Sequence, residues 1–313
     1  MSQPLRIATR RSKLALWQAE HVAALLRAAH PDTPVELVPM STQGDRVLDR
    51  ALAEVGGKGL FVKELEVAMQ DGRADIAVHS MKDVPSELPP GFCIAAALPR
   101  ANPLDAFLSL RHASFASLPK GARVGTSSPR RQSQLLSARP DLSLELLRGN
   151  VDTRLRRLEE GGLDAILLAC AGLERLGLGA RITEVLGVEL SVPAVGQGVI
   201  GIECREDDAR ARELLAALHH EDSFVRLTAE RAFAQALGGS CHSPIAAHAT
   251  LERGTLTLRG FVGAPDGRET YRDVLQGDGT SAAETGRKLA TRIQAAGAGP
   301  LLERLRQEAA AAS

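Results

Sequence analysis

The feature that most constrains the fold is an alternation of short apolar runs with amphipathic segments, which occurs twice along the chain. Such alternation predicts a parallel sheet covered by helices, once in each half. In the first half we predict strands at residues 5–9, 35–38 and 74–79, with helices at 12–29 and 62–70. In the second half we predict strands at residues 123–125, 143–147 and 164–169, with helices at 132–138 and 153–160.

The two halves also resemble each other in detail. Residues 6–9 precede a helix as residues 123–126 do, and residues 74–78 resemble 163–167. Beyond Pro193 the pattern changes to helices and strands of a smaller α+β domain. We therefore predict an α/β protein with two similar doubly wound domains and a C-terminal α+β domain. Clefts between domains are where ligands bind, so the site should draw residues from both.

The balance of charge limits the classes of partner. Lys and Arg together number 38, and Asp and Glu together also number 38. This balance argues against a protein whose whole surface attracts nucleic acid or an anionic membrane. A nucleic-acid binder is further disfavoured by the single Trp and single Tyr. The first residues lack the apolar core of a signal peptide, and the longest apolar run, Ala165 to Leu173, is too short to span a membrane. We expect a cytoplasmic protein.

Arginines stand where predicted strands end. Arg10 follows the first strand, Arg130 and Arg131 take the equivalent place in the second half, and Arg148 follows the next strand. Guanidinium groups pair with carboxylates through two parallel hydrogen bonds, and open α/β sheets bind ligands at this edge. Thr126, Ser127 and Ser128 add hydroxyl donors, and Arg154 and Arg175 continue the series. The pattern predicts a polyanionic ligand.

Residues 79–85 form a charged cluster directly after an apolar strand. Asp83, beside Lys82, is suited to stabilising a cation and transferring protons, although an ordinary loop ion pair would look the same in sequence. We expect His79 to be a strand-end histidine with a local hydrogen bond. The Gly-rich segment 41–60 is a candidate lid.

Of the four cysteines, Cys241 stands apart. It lies between Gly238-Gly239 and Pro244, which predict a loop. We expect this loop to expose the thiol, so that it can act as a nucleophile. The other three, Cys93, Cys170 and Cys204, lie in strand-like apolar runs that predict burial. Neither a disulfide framework nor a metal site is indicated.

Two nucleotide-like patterns fail on context. Residues 196–201 spell a dinucleotide fingerprint, but residues 199–203 continue as an apolar strand where a helix should begin. Gly57-Lys58 lacks the rest of a phosphate loop.

Taken together, several segments resemble the porphobilinogen deaminase (hydroxymethylbilane synthase) family, nearly from end to end. They are residues 6–10, 55–61, 79–85, 125–128, 148–150, 193–198, 230–231 and 239–241. This chain departs from the family pattern at Pro129, His242 and Ser243.

The resemblance implies three domains, the first two like those of type II periplasmic binding proteins. Their expected bounds are 1–98 rejoined by 199–216, then 104–192, and 217–313 for the third. It implies a transferase of haem biosynthesis, acting as a monomer. The enzyme would join four porphobilinogen molecules head to tail, with loss of ammonia, to give hydroxymethylbilane. A dipyrromethane cofactor, attached through a thioether to Cys241, would serve as the primer.

The resemblance also implies roles for particular residues, with Asp83 as the catalytic group. The residues expected to bind the cofactor are Cys241, Lys82, Asp83, Ser128, Arg130, Arg131, Thr126 and Ser80. Those expected to bind substrate are Arg10, Ser12, Arg148, Arg154, Arg175, Gln197 and Phe61. The alternative is a two-lobed binding or regulatory protein for an anionic metabolite, which the duplicated architecture alone would suit equally well and which would need neither Cys241 nor Asp83.

Overall fold

Three sheets organise the computed structural model, which describes residues 3–42, 44, 59, 61–239 and 243–311. The strands are β1 (Leu5–Arg10), β2 (Val35–Met40), β3 (Ile76–Ser80), β4 (Phe92–Ala97), β5 (Asp105–Leu108), β6 (Arg123–Gly125), β7 (Ser143–Glu145), β8 (Ala165–Ala169), β9 (Glu184–Leu186), β10 (Ile200–Arg205), β11 (Ile245–Glu252), β12 (Thr255–Gly263) and β13 (Thr270–Asp278). The α-helices are α1 (Lys13–Ala29), α2 (Lys63–Gln70), α3 (Pro129–Ala138), α4 (Val151–Glu159), α5 (Cys170–Arg175), α6 (Ala209–Ala216), α7 (Glu221–Ala236), α8 (Ala282–Ile293) and α9 (Gly299–Ala311). Short turns of other helix types are Met81–Asp83, Gly179–Arg181, Gly279–Ser281 and Gln294–Ala298.

The first two sheets follow one plan, which confirms the predicted repeat. Their strand orders are β2-β1-β3-β10-β4 and β7-β6-β8-β5-β9. In each, three neighbouring strands run parallel, and the fourth runs antiparallel to both of its neighbours. The sheets are thus mixed, where the sequence predicted wholly parallel ones. The reason is that each receives its fourth strand from a chain segment that crosses between the domains.

The strands that sequence analysis missed are short or flanked by proline. β4 and β5 lie in a stretch interrupted by Pro89, Pro90, Pro99 and Pro103, and β9 has only three residues. The prediction for Cys170 was wrong in one respect, because this residue begins α5 instead of lying in a strand. Its predicted burial is confirmed, with 0% exposure, whereas Cys93 is half-buried.

Side-chain caps begin α1 and α3, the first helix of each large domain. The hydroxyl of Ser12 accepts from the amide of Ala15 at 3.3 Å, and that of Ser128 accepts from Arg131 at 3.4 Å. Pro129 follows Ser128 as the first residue of α3, where its missing N–H costs nothing. These caps satisfy amide groups that have no partner within the helix.

Two linkers cross between the large domains and lie side by side. The amide of Leu98 donates to the carbonyl oxygen of Ile200 at 3.0 Å, and that of Ala101 donates to Gly198 at 3.1 Å. Gly198 has a φ of +88°, and a Cβ there would lie 2.6 Å from the carbonyl oxygen of Ala101. The glycines of the fingerprint-like segment therefore allow this close crossing. The strand predicted after them is confirmed as β10.

The third sheet, β11-β12-β13, is antiparallel and packs one face against α7 and α8 around Phe233, Leu258 and Leu289. Arg100 of the first linker joins this domain through an ion pair with Glu230, both side chains being at most 1% exposed. The oxygens of Glu230 also accept from the amides of Gly196 and Ala249, each at 2.7 Å. Within the described ranges, the search for a helix able to cross a membrane finds none.

Candidate active site

A short turn, Met81–Asp83, carries the proposed catalytic cluster out of the first sheet. Met81 is 1% exposed, and its amide donates to the carbonyl oxygen of Val199 at 3.0 Å. Its sulfur lies so close to Gly201 that a Cβ there would be 2.0 Å away. The buried methionine therefore fixes the turn, and Lys82 and Asp83 follow it at the domain boundary.

Asp83 lines a cleft of the first domain. Its lining residues include Arg10, Ser12, Phe61, Ser80 and Asp83. The structure thus brings together five of the residues predicted from sequence. The guanidinium carbon of Arg10 lies 4.2 Å from the centre of the Phe61 ring, a cation–π contact that holds the arginine beside the cleft.

Lys82 is surrounded by charges from both large domains. Burial, together with the positive charges of Arg131 and Arg154, lowers the pKa of Lys82 to about 8. Asp83 and Asp105 act in the opposite direction. Near neutral pH the charged form of Lys82 is therefore destabilised by its surroundings, and a nearby anion would stabilise it.

Two arginines of the second domain, Arg148 and Arg154, also have lowered pKa values. Burial, together with the charges of Arg131 and Arg148, lowers the pKa of Arg154 to about 10, while Asp83 opposes the change. Burial also lowers the pKa of Arg148. Burial and neighbouring positive charges destabilise these cations, so pairing with the carboxylates of a ligand would stabilise them. These residues therefore fit the dipyrromethane group that the resemblance implies.

Arg130 and Arg131 have partners inside the second domain. Arg130 makes two hydrogen bonds to Asp105, at 2.8 and 3.1 Å, and Arg131 makes one at 2.7 Å. Their side chains are 4% and 6% exposed, and that of Asp105 is fully buried. Arg131 also donates to the carbonyl oxygen of Leu167 at 3.0 Å. Any role of this pair toward a ligand stays a prediction.

Asp105 is the important residue that sequence analysis missed. Besides the two arginines it accepts from the hydroxyl of Ser191 at 2.6 Å and from the side-chain amide of Gln197 at 2.8 Å. Arg130 and Arg131 hold the pKa of Asp105 far below its usual range, although burial acts in the opposite direction. The available signal was an acidic residue at the head of the apolar run 105–108.

The remaining predicted residues occupy structural positions near the domain boundary. Gln197 lies on the second linker and also donates to Pro103 at 2.6 Å. Arg175 donates to the carbonyl oxygen of Gly198 at 2.7 Å. Ser80 exchanges hydrogen bonds with the Gln18 amide, and the Thr126 hydroxyl accepts from the amide of Ser128 at 3.2 Å. The structure therefore gives these side chains internal partners, and their contacts with a ligand stay predictions.

The cysteine loop lies partly outside the described residues. Ser240, Cys241 and His242 are not among them, nor is most of the candidate lid 41–60. The residues that lead into the loop are described: the Ser86 hydroxyl donates to the carbonyl oxygen of Gly239 at 3.4 Å, and Arg231 donates to that of Ser86 at 3.1 Å. Gly239 is two residues before Cys241, and Ser86 is three residues after Asp83.

We predict that Asp105→Asn destabilises the protein severely. The change leaves two buried arginines without a charged partner, which typically costs about 3–5 kcal/mol. Urea unfolding of parent and variant measures the loss. The matched control is Asp152→Asn, which removes a more exposed ion pair with Lys13 at 2.7 Å and should cost less than about 1 kcal/mol. Equal losses in the two variants would contradict the argument.

A second buried cluster lies beside the site. His79 Nε2 is 2.8 Å from a carboxylate oxygen of Glu203 on the neighbouring strand, with both side chains at most 4% exposed. The contact has an ion-pair distance but not the geometry of a hydrogen bond, so the local hydrogen bond expected of His79 stays a prediction. Burial, together with the charge of Glu203, raises the pKa of Glu66 to about 7, while His79 opposes the change.

This raised pKa predicts a pH-dependent contribution to stability. Between pH 4.5 and about 7 the folded chain binds a proton at Glu66 that the unfolded chain has lost. The contribution is fully present below pH 4.5 and is lost as the pH rises through about 7. Relative to the parent, Glu66→Gln should gain up to about 3 kcal/mol in unfolding free energy across this range. Urea unfolding at several pH values, with Glu20→Gln as an exposed control, measures it; a difference independent of pH would contradict it.

Fold and site together define a two-lobed α/β protein with a third domain, in which Lys82 of one lobe and Arg154 of the other interact electrostatically with Asp83 at the cleft. Two family models match the chain: "Porphobilinogen deaminase, dipyromethane cofactor binding domain" over residues 5–213, and "Porphobilinogen deaminase, C-terminal domain" over residues 224–295. The chain belongs to the porphobilinogen deaminase family.

A curated relative supports the same assignment over almost the whole length. The porphobilinogen deaminase of Syntrophotalea carbinolica is 53% identical over 304 residues, which cover 97% of this chain and 96% of that protein.

Among solved structures, the methionine binding protein MetQ is 14% identical, with a TM-score of 0.46 over 70% of this chain and 91% of that one. A periplasmic substrate-binding protein of an ABC transporter from Coxiella burnetii is 15% identical, with a TM-score of 0.44 over 72% and 96%. Likenesses at this level carry no functional argument.

Proposed function

We propose that the chain is an enzyme of tetrapyrrole synthesis with the activity of its family. It would condense four porphobilinogen molecules head to tail, release ammonia at each addition, and give hydroxymethylbilane. The observation that carries the proposal is the position of Asp83, a carboxylate at the cleft whose neighbours Lys82 and Arg154 are desolvated cations from the two lobes.

The cations would hold the ligand. Porphobilinogen carries two carboxylates, so a chain of such units needs many positive partners within a protein of zero net charge. Arg10, Arg148, Arg154 and Arg175 are proposed to bind carboxylates of substrate, with Ser12, Phe61 and Gln197 lining the path. Lys82, Arg130, Arg131, Thr126, Ser128 and Ser80 are proposed to bind the carboxylates of the dipyrromethane.

Asp83 would act where charge develops. As the carbon–nitrogen bond of porphobilinogen breaks and ammonia departs, positive charge appears on the substrate pyrrole, and the carboxylate stabilises it. The same group would then accept the proton released when the new carbon–carbon bond is complete. Bound dipyrromethane would supply the pyrrole end to which the units are added.

Cys241 is proposed as the attachment point. The hydrogen bond between Ser86 and Gly239 joins the residues that lead to this cysteine with the segment that carries Asp83. A primer attached at Cys241 and a carboxylate at Asp83 would then act in one cleft. We further propose that the enzyme works in the cytoplasm as a monomer.

Incubation of the purified chain with porphobilinogen tests the function directly. We expect ammonia and hydroxymethylbilane as products, and an intact mass that exceeds the sequence by two pyrrole units. A protein that binds the pyrrole without turnover and carries no covalent excess would support the alternative of a two-lobed binding protein. That alternative is not favoured, since the family matches extend across all three parts of the chain.

Arg148→Leu should impair elongation while leaving the fold intact, because Arg148 is a partly exposed cation of the cleft whose loss leaves substrate carboxylates unpaired. Arg131→Leu should also lose stability, since its partner Asp105 is buried. Native mass spectrometry would follow the ladder of bound intermediates. Arg156→Leu, on the exposed side of α4, serves as the control. A normal ladder in Arg148→Leu would count against direct contact.

A further inference from the structure

Two cysteines outside the proposed site lie opposite each other on neighbouring antiparallel strands. Cys93 of β4 and Cys204 of β10 are register partners, and their sulfurs are 3.9 Å apart. Cys170, the remaining cysteine among the described residues, lies in the second large domain. The pair therefore consists of two thiols that the fold holds together although they are far apart in sequence.

The backbone at this position suits a disulfide. Residues directly opposite in an antiparallel pair have Cα atoms about 4.5–5.5 Å apart. Disulfides accept Cα separations of about 4.4–6.8 Å and bring the sulfurs to about 2.05 Å. The sulfurs must approach further, but the strands need not separate or slide. A register shift between Ile202 and Glu203, next to Cys204, gives the backbone room to adjust.

We propose that Cys93 and Cys204 form a dithiol that hydrogen peroxide oxidises to a cross-strand disulfide. The sulfur of the first cysteine attacks a peroxide oxygen, the O–O bond breaks, and a sulfenic acid and one water are formed. The second thiol then displaces the hydroxyl group as water and closes the S–S bond. The two sulfurs lose two electrons in total, the peroxide gains them, and a small thiol such as dithiothreitol reverses the change.

The two cysteines have different roles in this sequence. Cys93 is half-buried, whereas Cys204 is fully buried, so Cys93 is the sulfur that a peroxide reaches. Burial, together with the neighbouring Cys93, raises the pKa of Cys204 to about 12. Cys204 is therefore a poor first nucleophile but a well-placed thiol to resolve a sulfenic acid on Cys93. Disulfides in reducing compartments are typically transient, as such a pair requires.

The disulfide would tie the edge strand β4 to β10 away from the proposed active site. Ile200 pairs with Ser80 at one end of β10, and Cys204 lies four residues further on, roughly 13 Å along the strand. The closed loop would include every residue from 93 to 204, and thus the whole second sheet. Such a long loop restrains the unfolded chain strongly. Oxidation should therefore raise the unfolding temperature, by roughly 4 °C or more, without loss of activity.

The sequence permits an unambiguous assay, because trypsin places each cysteine in a separate peptide. The peptides are 83–100 for Cys93, 182–205 for Cys204, 158–175 for Cys170 and 232–253 for Cys241. The full-length protein as purified is treated with hydrogen peroxide, alkylated and digested without reductant. We expect peptides 83–100 and 182–205 to appear linked, with the loss of two hydrogens, and to separate after dithiothreitol.

Variants make the test specific. Cys93→Ser should give no linked peptide and leave Cys204 as a free thiol, and Cys204→Ser should accumulate oxidised Cys93. Cys170→Ala is the matched control and should still form the link. Sulfinic or sulfonic acid on Cys93 of the parent without any linked peptide would overturn the proposal, as would a link that forms only in denaturant. An unchanged unfolding temperature of the linked protein would overturn the stabilising role. Since no step involves pyrroles, failure of the proposed function would leave this result unaffected.

Discussion

Cys241→Ser is expected to give a folded protein that carries no pyrrole primer and makes no hydroxymethylbilane. Thioether attachment needs a sulfur nucleophile, and a serine hydroxyl without a strong base is far weaker than a partly ionised thiol. Folding should survive because the change lies beyond the end of α7, which closes with a hydrogen bond from the amide of Gly239 to the carbonyl oxygen of Ala234 at 2.8 Å.

Intact mass of the denatured protein, followed by mapping of peptide 232–253, measures the primer directly. The control is Cys93→Ser, which should keep both the two-pyrrole excess and the activity, since Cys93 lies at the far end of β4 from the linker. An adduct on any other residue would overturn the assignment. Full activity of Cys241→Ser without bound pyrrole would overturn the proposed mechanism.

Asp83→Asn should fold normally but lose on the order of 10²–10³ in the rate of pyrrole condensation. The asparagine keeps the shape of the side chain. It removes the negative charge that would stabilise the positive charge developing on the pyrrole as ammonia departs. It also removes the anion that keeps Lys82 and Arg154 protonated, so the pKa of each should fall further. The effect on rate should therefore be accompanied by a changed pH profile.

Single-turnover measurements with porphobilinogen separate this chemical loss from slower binding. Glu87→Gln is the matched control, because Glu87 is an exposed acid four residues away whose side chain accepts from Gln235 at 3.2 Å. The control should stay within about twofold of the parent. A rate for Asp83→Asn within about threefold of the parent would exclude the role, since general acid–base groups are typically worth at least ~10².

Local sequence was sufficient to predict the repeated alternation of strands and helices and most of the residues at which these elements begin and end. Runs such as residues 165–169 are apolar throughout because the strand is covered on both faces, and this signal survives in a single sequence. Ser12, Ser128 and Pro129 mark helix starts by their own chemistry. The chemical candidates Asp83 and Arg148 were also visible, because charged residues directly after apolar strands are unusual. The cysteine loop was visible through its paired glycines.

Tertiary structure alone decided which of these charges meet. Arg130 and Arg131 look like ligand-binding residues in sequence, but their pairing with Asp105 depends on a strand that enters the second sheet from the linker. The contacts of Arg100 with Glu230, and of Cys93 with Cys204, likewise join residues more than 100 positions apart. Hydrophobic periodicity reports only whether a residue faces a core. It carries no information about which distant residue shares that core, because strand order and domain crossing are set by the packing of the whole chain.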